Sequence, residues 1–209
     1  MKEIVIHFLI TLPLFLVAIV IHEVSHGLVA NYFGDPTART MGRLSLNPLR
    51  HVDLIGTVVL PLLLMVTGSP VVFGWAKPVP INYARLAHPK RDLVWVGMAG
   101  PLANVLLAVA VAGGLRLANV PPHSLIGSVG LAVILMNLVL AIFNLIPVPP
   151  LDGSRVLVGL LPFRYARWLA MMEPFGFVIL VGLMYLGVVN RVVWPIVIRA
   201  VHWLGVGLP

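Results

Sequence analysis

The stretch His22-Glu23-Val24-Ser25-His26 places three ionisable side chains within an apolar run covering residues 4–32. Residues four apart on a helix differ by about 40° in direction, so His22 and His26 project side by side and can offer two imidazoles to one metal ion. Glu23 stands beside them, where a carboxylate can serve as general base towards a water at the metal. The pattern is H-E-x-x-H, the zinc signature of metal-assisted hydrolysis. The blander reading is a set of hydrogen-bonded polar residues lining a helix bundle. Burying two imidazoles and a carboxylate without a cation would leave several groups to be paired in a low dielectric, which disfavours that reading.

A catalytic zinc site takes three protein ligands and keeps one position open. The chain has no Cys, so the third ligand must be His, Asp or Glu. Asp35 and Asp53 stand in GDPT and HVDLIG, turn surroundings in which Asp is common for local hydrogen bonding alone. Asp152 follows a proline-broken apolar run in PVPPLDGSRV. On spacing it has two equal readings, a metal ligand or the N-cap of a short helix over residues 153–161.

The elements that must position these groups are membrane helices. Of the 209 residues, 60% are hydrophobic and 10% are charged, well beyond the roughly 45–50% apolar content of soluble domains. Periodicity and length predict spans over about 4–32, 93–118, 125–146 and 165–189, with short helices over 153–161 and 192–204. The first apolar run is too long for a signal peptide, lacks a small-residue cleavage site and contains the H-E-x-x-H, so it is read as retained. The run over 55–68 amounts to roughly 21 Å of helix, short of a hydrocarbon core of about 30 Å. In GWAKPVPIN, Pro78 and Pro80 forbid helix, and a short membrane-associated β-hairpin is expected there. The expected fold is an all-α polytopic membrane protein, a bundle of transmembrane helices with a re-entrant segment and that hairpin. It forms one membrane-embedded domain over 1–209, with a core of about 4–161 and C-terminal helices over about 165–206.

The 14 Lys and Arg against 7 Asp and Glu lie between the apolar runs, so they serve as topology signals and headgroup contacts rather than a nucleic-acid surface. Arg39, Arg43 and Arg50 precede the 55–68 run, and Lys77, Arg85, Lys90 and Arg91 follow it. The positive-inside rule places both flanks in the cytoplasm, so 55–68 is expected to dip into the membrane and return. Asp152 then arrives on the same face as His22 and His26, which tips it towards the ligand role. The expected location is a multi-pass position in a prokaryotic cell membrane, with the site towards the cytoplasm.

HEVSH, GRLSLNP, FGWAKPVP, AGPLANVLLA and NLIPVPPLDG follow one another over residues 22–154. In this order they resemble the intramembrane site-2 zinc metalloproteases. The resemblance implies His22, His26 and Asp152 as ligands of one Zn2+ per chain, Glu23 as catalytic acid/base, and Asn104 and Asn144 near the site. It also implies a transmembrane or membrane-tethered protein substrate within a lipid bilayer, and leaves a homo-oligomer open. The chain resembles a compact member, without room for the PDZ or CBS domain that others carry. On physics alone Asn104 and Asn144 fit interhelical hydrogen bonding equally well, and Asn137 fits it better.

Cleaving a transmembrane helix requires an unwound substrate to be held extended. In GWAKPVPIN the prolines leave one edge without donors, so Lys77, Val79 and Ile81 are candidates to pair with a hairpin partner or a substrate strand. The leading function is an intramembrane zinc endopeptidase. The alternatives are a metal-binding membrane transporter, which would not need Glu23, and an inactive module that binds membrane segments. His7 is read as packed or interfacial, and His51, His88, His123 and His202 as lying in loops or at interfaces. Glu173 is a candidate partner of Arg164 or Arg167, and Trp75, Trp95, Trp168, Trp194 and Trp203 fit an aromatic belt.

Overall fold

The computed structural model describes residues 2–69, 72 and 74–206, with side chains from Thr11 onward, so the side chain of His7 lies outside the described residues. Helix α1 (Lys2–Tyr32) carries the H-E-x-x-H in its last third. It ends where Gly34, at φ +104°, takes a backbone conformation that only glycine adopts without strain. The short α2 (Thr37–Thr40) follows, then a 3-10 turn at Pro48–Arg50 and a π-helical segment, Leu54–Val59, that runs into α3 (Leu60–Val66). The long α4 (Pro89–Leu117) and α5 (Leu125–Asn144) pack against α1. The short α6 (Asp152–Leu160), α7 (Phe163–Met171), α8 (Gly176–Tyr185) and α9 (Trp194–Trp203) complete the chain.

Among the described residues four stretches are long and apolar enough to cross a membrane: Thr11–Tyr32, Pro89–Leu117, Leu125–Asn144 and Phe163–Tyr185. The chain is therefore a multi-pass membrane protein. The fourth stretch, expected as one helix over 165–189, comprises α7 and α8 joined by a 3-10 turn at Glu173–Phe175. Pro174 accounts for the break, since it cannot donate to the α-helical ladder. Among the described residues Glu173 forms no ion pair with Arg164 or Arg167.

Helix α4 is the hub because one of its faces is small. Gly97, Gly100, Pro101, Asn104, Ala108 and Ala112 are buried along it at helical spacing, which lets neighbouring backbones approach closely. A methyl group at Gly97 would lie 3.0 Å from Val156 Cγ2 and 3.2 Å from the Asp152 carbonyl, which shows how closely α6 docks there. Farther along, Ala108 and Ala112 meet Ile134 and Leu138 of α5 and the buried Val193, Val197 and Val201 around α9.

The chain between Phe33 and Ala87 leaves α1 and returns to it. The Ala87 N–H donates to the Phe33 carbonyl at 2.9 Å, and Ala30, Leu86 and Val96 form a buried cluster beside that closure. Asp35 locks it: its Oδ2 accepts the Asn82 N–H at 2.6 Å, and its Oδ1 accepts the Thr37 N–H at 3.0 Å together with the Thr37 hydroxyl. The excursion thus begins and ends at one end of the bundle.

Two expectations are corrected within this excursion. No strand occurs among the described residues, so the β-hairpin is absent and residues 74–82 form an extended strap. The N–H groups of Trp75, Lys77 and Val79 go to three different places, the Gly56 carbonyl at 3.0 Å, the His51 carbonyl at 2.8 Å and the Glu23 carboxylate at 2.7 Å. With Pro78 and Pro80 contributing no donors, no ladder remains to be built. The re-entrant segment expected over 55–68 is not observed either. Residues 54–66 form one continuous helical rod, capped by Asp53, whose Oδ1 accepts the Gly56 N–H at 2.7 Å.

Candidate metal centre

His22 and His26 project from adjacent turns of α1 with ring centroids 4.7 Å apart. Asp152 reaches them from the first turn of α6. Its Oδ2 lies 2.9 Å from His22 Nε2 and 3.1 Å from His26 Nε2, and the two nitrogens are 3.1 Å apart. All three residues are buried. The N-cap of α6 is Leu151, with no side-chain cap, so the Asp152 carboxylate is not engaged in capping. Its second oxygen, Oδ1, accepts a hydrogen bond from Arg155 Nη1 at 2.8 Å.

The partners of the other ring nitrogens determine what the two histidines offer. His26 Nδ1 is 2.6 Å from the Val96 carbonyl. A carbonyl only accepts, so Nδ1 carries a proton, and in the neutral ring Nε2 presents its lone pair. His22 Nδ1 is 2.6 Å from Asn104 Oδ1. The Asn104 amide nitrogen donates to the Ala18 carbonyl at 3.0 Å and to Asn137 Oδ1 at 2.6 Å, which leaves its oxygen facing His22. His22 therefore also donates from Nδ1 and turns the Nε2 lone pair inward. With both rings neutral, two imidazole lone pairs and a carboxylate oxygen converge, an arrangement that a bound cation satisfies.

The donor set suits zinc. Tetrahedral bonds of about 2.0–2.1 Å separate ligand atoms by roughly 3.3–3.4 Å, a few tenths of an ångström wider than the triangle here. Outer groups that orient each histidine, here Asn104 and the Val96 carbonyl, are the usual accompaniment of such ligands. Among the described residues these three form the group of His, Asp and Glu side chains close enough to share a metal ion.

Gly100 makes room for the triangle. A methyl group there would lie 2.6 Å from His22 Cε1 and 2.7 Å from His22 Nε2, and closer still to His26 Nε2. The small AGP step in an apolar helix was its only trace in the sequence.

Glu23 faces the strap, and its Oε2 accepts the Val79 N–H at 2.7 Å. The strap is fastened from the other side by Arg43, whose Nη2 donates to the carbonyls of Lys77 at 2.8 Å and Pro78 at 3.1 Å while its Nη1 bonds the Arg50 carbonyl. Thr57 adds a hydroxyl bond to the Trp75 carbonyl at 2.8 Å.

A family model for peptidase family M50 matches residues 118–183. The chain is 35% identical over 187 residues to YwhC of Bacillus subtilis (strain 168), named as a candidate zinc metalloprotease, covering 86% of this chain and 82% of that protein. The chain belongs to peptidase family M50, the site-2 proteases. Rip2 of Mycolicibacterium smegmatis, similarly named, is 31% identical over 185 residues, 88% of this chain and 70% of its own. Rip2 of Mycobacterium tuberculosis strain H37Rv is 29% identical over 197 residues, 94% of this chain and 73% of its own. No solved structure matches the chain.

In this M50 member the candidate residues divide by position. His22, His26, Asp152 and Asn104 are brought together, and Glu23 lies next along α1 from His22. Asn144 sits at the end of α5, where its amide donates to the Leu140 carbonyl at 2.9 Å on the same helix. Val79 is buried against α1, Lys77 is exposed, and Ile81 packs beside the Ala30, Leu86 and Val96 cluster. Asp35 and Asp53 serve the turns in which they stand. The sequence reading missed Gly100 and Arg43.

Proposed function

We propose that this M50 member is an intramembrane zinc endopeptidase that hydrolyses peptide bonds in or near transmembrane segments of membrane-protein substrates. The observation that carries the proposal is the convergence of two imidazole lone pairs and the Asp152 carboxylate on one point, with Glu23 adjacent. In this reading His22, His26 and Asp152 hold one zinc ion per chain. When bound, zinc supplies Lewis acidity and lowers the pKa of a water towards about 7.

Glu23 then moves the proton. Its Oε2 is held by the Val79 N–H, which steadies the carboxylate while Oε1 takes a proton from the attacking water and passes it to the leaving nitrogen. The Asn104 amide is already engaged with Ala18 and Asn137, so its part is to orient His22. The oxyanion-donor role falls to Asn144. An unwound substrate segment lies along the strap of Lys77, Val79 and Ile81 through side-chain contacts, since the Lys77 and Val79 N–H groups are already given to His51 and Glu23. The whole described bundle acts as one membrane-embedded domain.

Arg39, Arg43, Arg50, Lys77, Arg85, Lys90 and Arg91 belong to, or directly follow, the excursion that closes at the histidine end of α1. Their charge supports a site on the cytoplasmic side of a bacterial membrane.

The test uses purified wild type and Glu23→Gln in liposomes, with zinc content and cleavage of a transmembrane reporter measured on the same preparations. Zinc retained in both, with cleavage only by wild type, is expected. Cleavage by Glu23→Gln at the wild-type rate would sink the assignment of the base.

A further inference from the structure

We propose that Asn137 is a positioning residue of the metal centre, acting from α5 through Asn104 of α4 to set the ring orientation and tautomer of His22 on α1. The inference rests on the reading that His22 binds zinc.

The hydrogen bonds run in one direction because the two backbone anchors, the Val133 and Ala18 carbonyls, only accept. Asn137 Nδ2 donates to the Val133 carbonyl at 2.8 Å on its own helix, which points Asn137 Oδ1 towards α4. That oxygen accepts from Asn104 Nδ2 at 2.6 Å, and the same nitrogen also donates to the Ala18 carbonyl at 3.0 Å. Both donors of Asn104 are thereby committed, and its oxygen has one orientation left, towards His22 Nδ1 at 2.6 Å. Asn104 is 0% and Asn137 1% exposed, so water cannot substitute for any member of the relay.

Without the Asn137 oxygen, one Asn104 N–H is left unpaired in a dry interior, and only the bond to the Ala18 carbonyl still opposes a turn of the amide. A turned amide offers N–H to His22 Nδ1, which must then accept. The ring proton moves to Nε2, into the point where the metal would sit. An asparagine that merely joins two helices would hold them equally well in either amide orientation; here the direction of the relay matters.

The experiment uses Co2+ as a visible probe on the purified full chain, with affinity and ligand-field spectrum measured for wild type, Asn137→Leu and Asn137→Asp. Asn137→Leu is expected to lose about 10–100-fold in Co2+ affinity, the usual effect of removing an outer-shell partner, with an altered spectrum. Asn137→Asp keeps an oxygen for Asn104 and, when protonated, a donor for Val133, and is expected to stay within about threefold of wild type. Adding Asn137→Leu to Asn104→Leu should cost little beyond Asn104→Leu alone, because both cut one relay. Equal Co2+ binding by Asn137→Leu and wild type overturns the relay, as does an Asn137→Asp as weak as the leucine variant. If Asn137→Leu is not recovered folded, the aspartate variant decides by its affinity alone. A wild type that binds no Co2+, or binds it equally well after His22→Ala, overturns the zinc reading and the relay with it.

Discussion

The backbone N–H of Val79 donates to the Glu23 carboxylate at 2.7 Å, so the extended strap of residues 74–82 holds the side chain that would act as base on α1. The strap is itself held by Arg43 through the Lys77 and Pro78 carbonyls. Replacing Arg43 by Met keeps much of the side chain's length and removes the latch. Reporter cleavage is expected to fall about tenfold, in line with a net loss of about 1.5 kcal/mol for the charge-assisted latch as a whole. Zinc content is expected to stay at the wild-type level, since Arg43 touches no ligand. A parallel loss of zinc would show that the latch supports the whole site rather than Glu23.

Gly100 and Gly113 lie on the same helix and provide a matched pair. A methyl group at Gly100 enters the histidine pair, whereas one at Gly113 meets nothing within 4 Å. Gly100→Ala is expected to abolish stoichiometric metal binding and to destabilise the bundle by about 1–3 kcal/mol through overpacking. Gly113→Ala should bind metal normally and be neutral or slightly stabilising, since Ala is the better helix former by up to about 1 kcal/mol. Metal titration and thermal unfolding of the two variants check this directly.

Arg155 donates to the Asp152 oxygen that does not face the histidines. Arg155→Leu leaves that oxygen without its charged partner, and the carboxylate becomes free to rotate. Metal affinity is expected to fall about tenfold, within the range for outer-shell partners. Competition with a chelator of known affinity measures it, and an unchanged affinity would show that packing alone holds Asp152.

Asp35 supplies a pH dependence away from the metal. Burial alone would raise its pKa, but hydrogen bonds from Thr37 and the Asn82 N–H, with Arg85 nearby, hold it below the ordinary value. A pKa lower in the folded than in the unfolded state means that the unfolded chain binds the proton more readily. The contribution of Asp35 is complete above the unfolded value of about 4 and is lost as pH falls through the folded value. Proteolysis of the 36–82 excursion is therefore expected to accelerate on acidification through this window. In Asp35→Asn the excursion should already be loosened at neutral pH, by about 1.5–3 kcal/mol, and should respond less to acid.

Much of the site was legible because its chemistry needs particular residue types at particular helical spacing. H-E-x-x-H requires only that residues 22–26 be helical, and the apolar run around it ensures that. Asp152 was recognisable from its place after a proline-broken span, though spacing could not separate ligand from cap. The chain starts α6 one residue earlier, which leaves Leu151 at the cap and turns the Asp152 carboxylate towards His22 Nε2. The GWAKPVPIN stretch departs from the expected hairpin for a related reason. Its prolines showed that the chain is extended, but an extended chain becomes a strand only when its neighbours supply a ladder. Here the acceptors are the His51 carbonyl, the Gly56 carbonyl and the Glu23 carboxylate.

By itself, then, the sequence determined what depends on local pattern and composition. That covers a membrane-embedded helical chain, its spans to within a few residues, and a pair of imidazoles with a carboxylate between them on one helix. Tertiary structure decided everything that depends on residues distant along the chain. It set Gly100 beneath the histidine rings, aligned Asn137, Asn104 and His22 across three helices, and drew Val79 onto Glu23. The physical reason is that periodicity reports which face of a helix is buried, whereas a hydrogen bond or a close backbone approach depends on which other face arrives opposite it.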